Sequence, residues 1–344
     1  MSDPVRVSII IPTYNRADLL EETIRSVQAQ TCDDFEIIVV DDASTDDTPA
    51  RMAQLAAQDA RIQLLRQPRN QYASAARNRG LQHARGEFVN FLDSDDLFAP
   101  GKLAQQLAIF EAQPDLDAVI CQAMMFEDQP DDAEFVWGPL DATLSDPAAV
   151  LEALLAGRIN WGILQPLWRR AFLERIGPSP EDLLGAEESE MHVRALCHGA
   201  RIAFTTEPLA YVRVHYGDSG RSKSAKPWKL RARLRARRLM WANLKRAGQD
   251  SPANRRSMTA NFLRQARTLA RAGLLRATWS AWACALRSGP DWRARGQLLA
   301  LVPALSVAAI TGRGHHFVKR VVRKLNLEPA RPAFMQVRLG EDEA

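Results

Sequence analysis

Two runs rich in β-branched residues, Val5–Ile11 and Phe35–Val40, constrain this chain more than any other feature. They read as strands covered on both faces. Between them, Arg16–Gln30 places Leu19, Leu20, Ile24 and Val27 at helical spacing. The alternation then repeats. A helix is predicted over Thr45–Asp59 with Met52, Leu55 and Ala56 on one face, then a strand at Arg61–Leu65. A small-residue-rich helix follows at Tyr72–Ala84, and a strand at Glu87–Leu92. Pro100 opens another helix, where its missing N–H costs nothing. Strands and helices alternating through short loops imply a parallel sheet covered on both faces, so the expected fold class is α/β.

Beyond the strand-like Ala118–Met125 the pattern loosens, with turns around Asp128–Asp132. Helices are expected at Asp146–Ala156, Arg169–Ile176 and Glu187–Cys197, and strands at Arg201–Thr205 and Leu209–Val214. From Lys226 onward only helical patterns remain, marked by Leu230, Leu234, Trp241 and Leu244, by Phe262, Ala266, Leu269 and Leu274, and by Leu275, Trp279, Trp282 and Leu286. Charge divides along the same line. Residues 1–225 hold 20 Lys+Arg against 35 Asp+Glu, and residues 226–344 hold 25 against 6. Two units are therefore expected, 1–222 and 223–344, the second a basic all-α extension.

A parallel sheet binds its ligands at the carboxyl ends of its strands. Here those ends carry Pro12-Thr13-Tyr14-Asn15, Asp41-Asp42 and Asp93-Ser94-Asp95-Asp96, so carboxylates converge on one rim. Magnesium or manganese takes hard oxygen ligands, one or two carboxylates plus the phosphates of a nucleotide. Asp93-Ser94-Asp95 offers two such carboxylates on a short turn; as a bare pattern it equally describes a solvated turn. Asp41-Asp42 reads either as a contact to base or ribose, or as a cap for the next helix.

Taken together, VSIIIPTYNR (Val7–Arg16), FEIIVVDDASTDDT (Phe35–Thr48) and ASAARNRGLQHARGEFVNFLDSDD (Ala73–Asp96) resemble the family 2 glycosyltransferases. The resemblance is specific over residues 5–96 and looser to about 222. It implies the GT-A fold, a mixed, mainly parallel sheet flanked by helices. It also implies an inverting transfer from a nucleotide diphosphate sugar with a bound Mn2+ or Mg2+. By motif, Pro12, Thr13 and Tyr14 would border the base, and Asp41 would contact uracil or ribose, with Asp42 shaping the loop. Arg77 and Asn78 would lie beside the nucleotide, Asp93 and Ser94 at the ribose or metal, and Asp95 on the metal. The family often has Asn-x-Gly ahead of its Ala-Arg-Asn. This chain reads Asn70-Gln71-Tyr72, a tyrosine that would narrow the donor pocket.

An inverting transfer needs a base for the acceptor hydroxyl. Gly185–His215 resembles the family's acidic helix start followed by a strand ending in Arg-x-His. The usual Glu-Asp pair is Glu187-Glu188 here, which makes Glu188 the candidate base, with Glu187 and Glu190 as alternatives. The same acids would also stabilise a helix N-terminus. His215 is read either as a third metal ligand or phosphate contact, or as a structural strand-end residue.

The basic extension fits two arrangements: Arg-flanked amphipathic helices on an anionic membrane, with Trp228, Trp241, Trp279, Trp282 and Trp292 at the interface, or helices packed on protein. The apolar run Gln297–Thr311 is shorter than the ~20 residues a spanning helix needs, and contains Pro303. No nucleic-acid motif is present, so nucleic acid is not an expected partner. The four cysteines, at 32, 121, 197 and 284, lack CxxC spacing, and no signal peptide is expected. The expected location is the cytoplasm, peripherally on the inner membrane. The expected acceptor is a saccharide or lipid-linked saccharide, in envelope or exopolysaccharide synthesis. A sugar-phosphate nucleotidyltransferase would carry a Gly-rich basic loop after its first strand, and Pro12–Arg16 is not one. A catalytically silent nucleotide-sugar-binding scaffold is the non-enzyme alternative.

Overall fold

The computed structural model describes residues 5–133, 135–184, 186–215 and 226–289. Its first part alternates as the sequence predicts: β1 (Val7–Thr13), α1 (Ala17–Gln28), β2 (Phe35–Asp41), α2 (Thr48–Gln58), β3 (Ile62–Arg66), α3 (Tyr72–His83) and β4 (Phe88–Phe91). Then come β5 (Leu97–Phe98), α4 (Lys102–Ala112), β6 (Ala118–Phe126), β7 (Phe135–Trp137), α5 (Pro147–Ala156), β8 (Pro166–Arg169), α6 (Arg170–Ile176), α7 (Glu187–Cys197) and β9 (Ile202–Arg213). Three helices end the described chain: α8 (Pro227–Arg246), α9 (Pro252–Arg271) and α10 (Leu275–Ser288).

All strands join one mixed sheet in the order β3-β2-β1-β4-β8-β6-β9-β5, with β7 on β6. The first four are parallel, and β8 is antiparallel to both its neighbours. Two expectations change here. Arg169 closes a strand, β8, before α6 begins, so the predicted helix starts one residue late. Arg201–Thr205 and Leu209–Val214 form a single strand, β9, whose register against β6 shifts between Cys121 and Ala123. Pro208, which has no N–H to give the ladder, falls at that irregularity.

The period of two along β1 and β2 divides the core. Val7, Ile9, Ile11, Ile37 and Val39 pack on one side with Leu20, Ile24 and Val27 of α1 and Leu103 and Leu107 of α4. Ile10, Ile38 and Val40 turn to the other side, where Ala76 of α3 and Val193 of α7 lie. Helix α3 comes very close to β1: a Cβ on Gly80 would stand 2.3 Å from Ile10 Cγ2. Leu230, Phe262 and Trp282 extend this second cluster into α8, α9 and α10, so the apolar stripes of the basic helices complete the core of the sheet. Trp241 and Trp282 are consequently buried rather than interfacial, while Trp228 stays exposed. Trp292 and Gln297–Thr311 lie outside the described residues. Among the described residues, no helix is long and apolar enough to cross a membrane.

On the α4 side Lys102 is fully buried, donating to Gln106 Oε1 at 2.7 Å with its ammonium 4.5 Å from the Phe98 ring centroid. Burial without a carboxylate partner pushes its pKa down to about 8.

Candidate active site

The parallel register sets the site. Thr13 at the end of β1 pairs with Asp41 at the end of β2, and Leu92, just past β4, donates its N–H to Ile10 O at 3.0 Å. Because β2 and β4 flank β1, the Asp41 and Asp93 tips stand two strand spacings apart, about 10 Å. Both therefore stand on one rim of the sheet.

The loops at these tips are strained and cross-tied. Among the described residues, the non-glycine positions with positive φ are Asn15 (50°), Ala43 (63°) and Tyr72 (67°), one beyond each of β1, β2 and β3. Each such residue costs about 1–2 kcal/mol against an ordinary backbone, least for asparagine. Asn15 N donates to Ser44 Oγ (2.9 Å), and Thr45 N donates to Asn15 Oδ1 (2.8 Å). Asp41 Oδ1 accepts from Ser44 N at 2.9 Å. Its Oδ2 makes no hydrogen bond, and Arg66 Nε lies 3.3 Å from it as an ion-pair partner. Asp42 accepts from Gln67 Nε2 (3.0 Å), Gln71 N (2.7 Å) and Tyr72 N (2.7 Å), so its carboxylate holds the β3–α3 loop. Burial raises its pKa against the pull of those bonds. Pro12 and Thr13 are inside the sheet edge, and Tyr14 is exposed on the rim.

The second wall is the turn after β4. Single oxygens of Asp93, Asp95 and Asp96 lie within 4.8 Å of one another. Asp96 N donates to Asp93 O at 3.1 Å to close the turn, and Ser94 is buried within it. Burial first, then the charges of Asp95 and Asp93, raise the Asp96 pKa well above the carboxylate range. A divalent cation would relieve that crowding, and three hard oxygens suit one. The donor set therefore fits magnesium or manganese. Asp95 Oδ2 also accepts from His215 Nε2 at 2.8 Å and pairs with Arg16 Nη1, so the predicted His215 does reach the cluster. Arg213 fixes the turn from below: its N–H donates to Asp96 Oδ1 (2.9 Å) and its Nε to Asp95 O (3.1 Å).

Arg77 joins the β4 turn to the start of α7. Its buried guanidinium donates to Asp93 Oδ1 (2.6 Å) and Glu187 Oε1 (3.4 Å). Burial alone would lower its pKa, but Asp93, Glu187 and Glu188 outweigh this and raise it. Asn78, its neighbour, turns elsewhere: its amide donates to Ser179 O (2.9 Å) and Glu181 Oε1 (3.1 Å) and accepts from Ser179 N (3.0 Å). It ties down the approach to α7, its bonds going to Ser179 and Glu181 rather than to the Asp93–Asp96 cluster. Glu188 sits in the first turn of α7, its charge felt by both Arg77 and Asp96. Glu190 is buried on Arg194 Nε, 3.2 Å from both its oxygens, and on Asn243 Nδ2 (3.0 Å). It is thereby committed to packing.

Sequence reasoning missed Arg16 and Asp96 as parts of this cluster. Arg16 meets Asp95 across 79 residues, which no local signal announces. Asp96 was visible in the acidic run, but only the turn shows that it faces its neighbours.

An α/β sheet with carboxylates at its tips and helices on both faces is the GT-A architecture. Staphylococcus aureus TarS 1–349, crystallised in complex with UDP-GlcNAc, superposes with a TM-score of 0.67 at 20% identity, over 93% of this chain and 92% of that one. A mannosyltransferase from Pyrobaculum calidifontis, in complex with GDP-Man and Mn2+, gives 0.54 at 23% identity, over 95% and 88%. Residues 8–159 match the family described as Glycosyl transferase family 2, and this part of the chain is a family 2 glycosyltransferase domain. The putative glycosyltransferase EpsH of Bacillus subtilis is 31% identical over 215 residues, 61% of each chain. A Campylobacter jejuni GalNAc(5)-diNAcBac-PP-undecaprenol beta-1,3-glucosyltransferase is 46% identical over 100 residues, 29% of this chain and 32% of that one. The chain thus spans about three fifths of EpsH and less of several other relatives.

Proposed function

We propose that this chain transfers a sugar, with inversion, from a nucleotide diphosphate donor, a UDP-sugar, to a hydroxyl of a saccharide or lipid-linked saccharide. The observation that carries this reading is the meeting of Asp93, Asp95 and Asp96 with Arg77 and the Glu188 helix at the strand tips. The family 2 domain and the UDP-GlcNAc complex of TarS support the donor class. The glucosyltransferase whose name carries PP-undecaprenol supports a lipid-linked acceptor and a role in envelope or exopolysaccharide synthesis.

In this reading Asp95 and Asp93, with Asp96 beside them and His215 at the rim, would hold Mn2+ or Mg2+. The cation supplies positive charge for the departing diphosphate. The residues of the chain do the rest. Glu188 takes the proton from the acceptor hydroxyl, whose oxygen bonds the anomeric carbon as the bond from that carbon to the diphosphate breaks. Glu190 is buried on Arg194 and Asn243, whereas Glu188 lies in the first turn of α7, where its charge acts on both Arg77 and Asp96. Arg77 holds Asp93 in place, and Asp41 and Tyr14 border the nucleoside. Asp42 shapes the loop that closes its far side.

Residues 1–222 form the catalytic unit and 223–344 the basic extension, which meets the cytoplasmic face of an anionic membrane with the Arg-rich surface left after α8–α10 have packed. The decisive experiment is a panel of nucleotide sugars scored by thermal shift with and without manganese, followed by transfer assays. One donor should raise the melting temperature only with metal. The Asp95→Ala variant should melt like the parent and turn over no donor; normal turnover in that variant would refute the assignment.

A further inference from the structure

Tyr72 holds a left-handed backbone, φ 67°, that glycine adopts without cost. Asn15 and Ala43, which share that region, are a residue that tolerates it and a small one. Tyrosine is neither, and packing does not explain it: Tyr72 is 52% exposed. Its ring stands 6.5 Å from that of Trp228, tilted by 42°, and Trp228 is itself 41% exposed. Two large aromatic faces from distant parts of the chain therefore stand together, half in water, one of them on a strained backbone. Strain that persists without a packing reason points to a ligand contact.

Position says which ligand group. The Tyr72 N–H donates to Asp42 Oδ2, so the start of α3 that carries this side chain is held against the β2 tip, next to Asp41. In the order β3-β2-β1-β4, this is the end of the rim farthest from the Asp93–Asp96 cluster. A nucleotide whose diphosphate lies on that cluster brings its base to the β2 and β3 tips. We propose that Tyr72, braced by Trp228, is a stacking wall for the nucleobase of the donor, a role that rests on the transferase reading above. Every base offers a flat π-face, and stacking on an aromatic side chain is a sizeable part of nucleotide affinity.

The test is calorimetric titration of the full chain with UDP, and with inorganic pyrophosphate as the base-free control, both in manganese. Tyr72→Gly should weaken UDP about tenfold and leave pyrophosphate unchanged, with no fall in melting temperature because glycine relieves the backbone. Tyr72→Phe should stay within about twofold of the parent for UDP, and Trp228→Ala should lose about threefold. Tyr72→Asn, which also tolerates the left-handed region, serves as a second ringless variant and should match the glycine variant. UDP affinity unchanged in both ringless variants, or UDP and pyrophosphate weakened equally, would overturn the base-wall proposal alone. A parent chain that binds neither UDP nor pyrophosphate would overturn the transferase reading and this inference with it.

Discussion

Around the tips of β1, β2 and β3 the backbone is bent into left-handed turns, and carboxylates crowd to within 4.8 Å of one another at the neighbouring β4 turn. In α8, α9 and α10 the helices are regular, their apolar stripes are buried, and their charges are basic. The first region carries strain and repulsion that a stability-driven design would remove. The second supplies packing that offsets them. Chemistry and stability are thus separated in space, with the acids where a donor would sit and the hydrophobic surplus behind the sheet.

That division can be broken experimentally, beginning with the largest effect. Replacing Glu188 with Gln should lower kcat about 10²–10⁴-fold with little change in melting temperature or donor affinity, read by steady-state kinetics and calorimetry. Replacing Phe262, fully buried on α9, with Ala should do the reverse, costing about 3–5 kcal/mol in denaturant unfolding while the remaining folded protein keeps its kcat. A large kcat loss from Phe262→Ala at full folding would show that the two regions are coupled.

Lys102→Met gives a smaller, pH-dependent effect. The pKa of Lys102 is lower in the folded chain, about 8 against the ordinary lysine value of 10.5. The folded state therefore binds the proton less readily, and stability from this group falls as pH drops from about 10.5 to about 8, then stays low. Methionine removes the penalty. The variant should gain about 3 kcal/mol at pH 7, less what Gln106 loses as a partner, and the gain should vanish towards pH 10.5. Thermal melts at pH 7 and pH 10 check the sign. The smallest effect is expected from exposed Arg231 on α8: Arg231→Gln should leave the melting temperature unchanged but weaken co-sedimentation with anionic vesicles by about 1 kcal/mol, a few-fold.

The front of the fold was legible because β1, β2 and β4 are buried on both faces, and such strands announce themselves by composition alone. Strand β8 was not, because four residues that run straight into a helix carry no periodicity. The β9 strand looked like two because Glu207-Pro208 reads as a break, where the sheet absorbs it as an irregular register. The site divides in the same way. The acidic strand ends follow from alternation and register. The partners of Arg16 and Asn78 are 79 and about 100 residues away, and long-range side-chain bonds leave no local trace.

The close approach of α3 to β1 closes off one avenue of change. With Ile10 Cγ2 only 2.3 Å from where a methyl would grow, even alanine at position 80 must displace either the buried Ile10 side chain or the helix itself. Arg77 rides one turn earlier on that helix, so any slide drags its guanidinium off Asp93. A saturation library at this codon should return glycine alone among active clones, although the residue sits at the contact between helix and sheet and carries no side chain of its own.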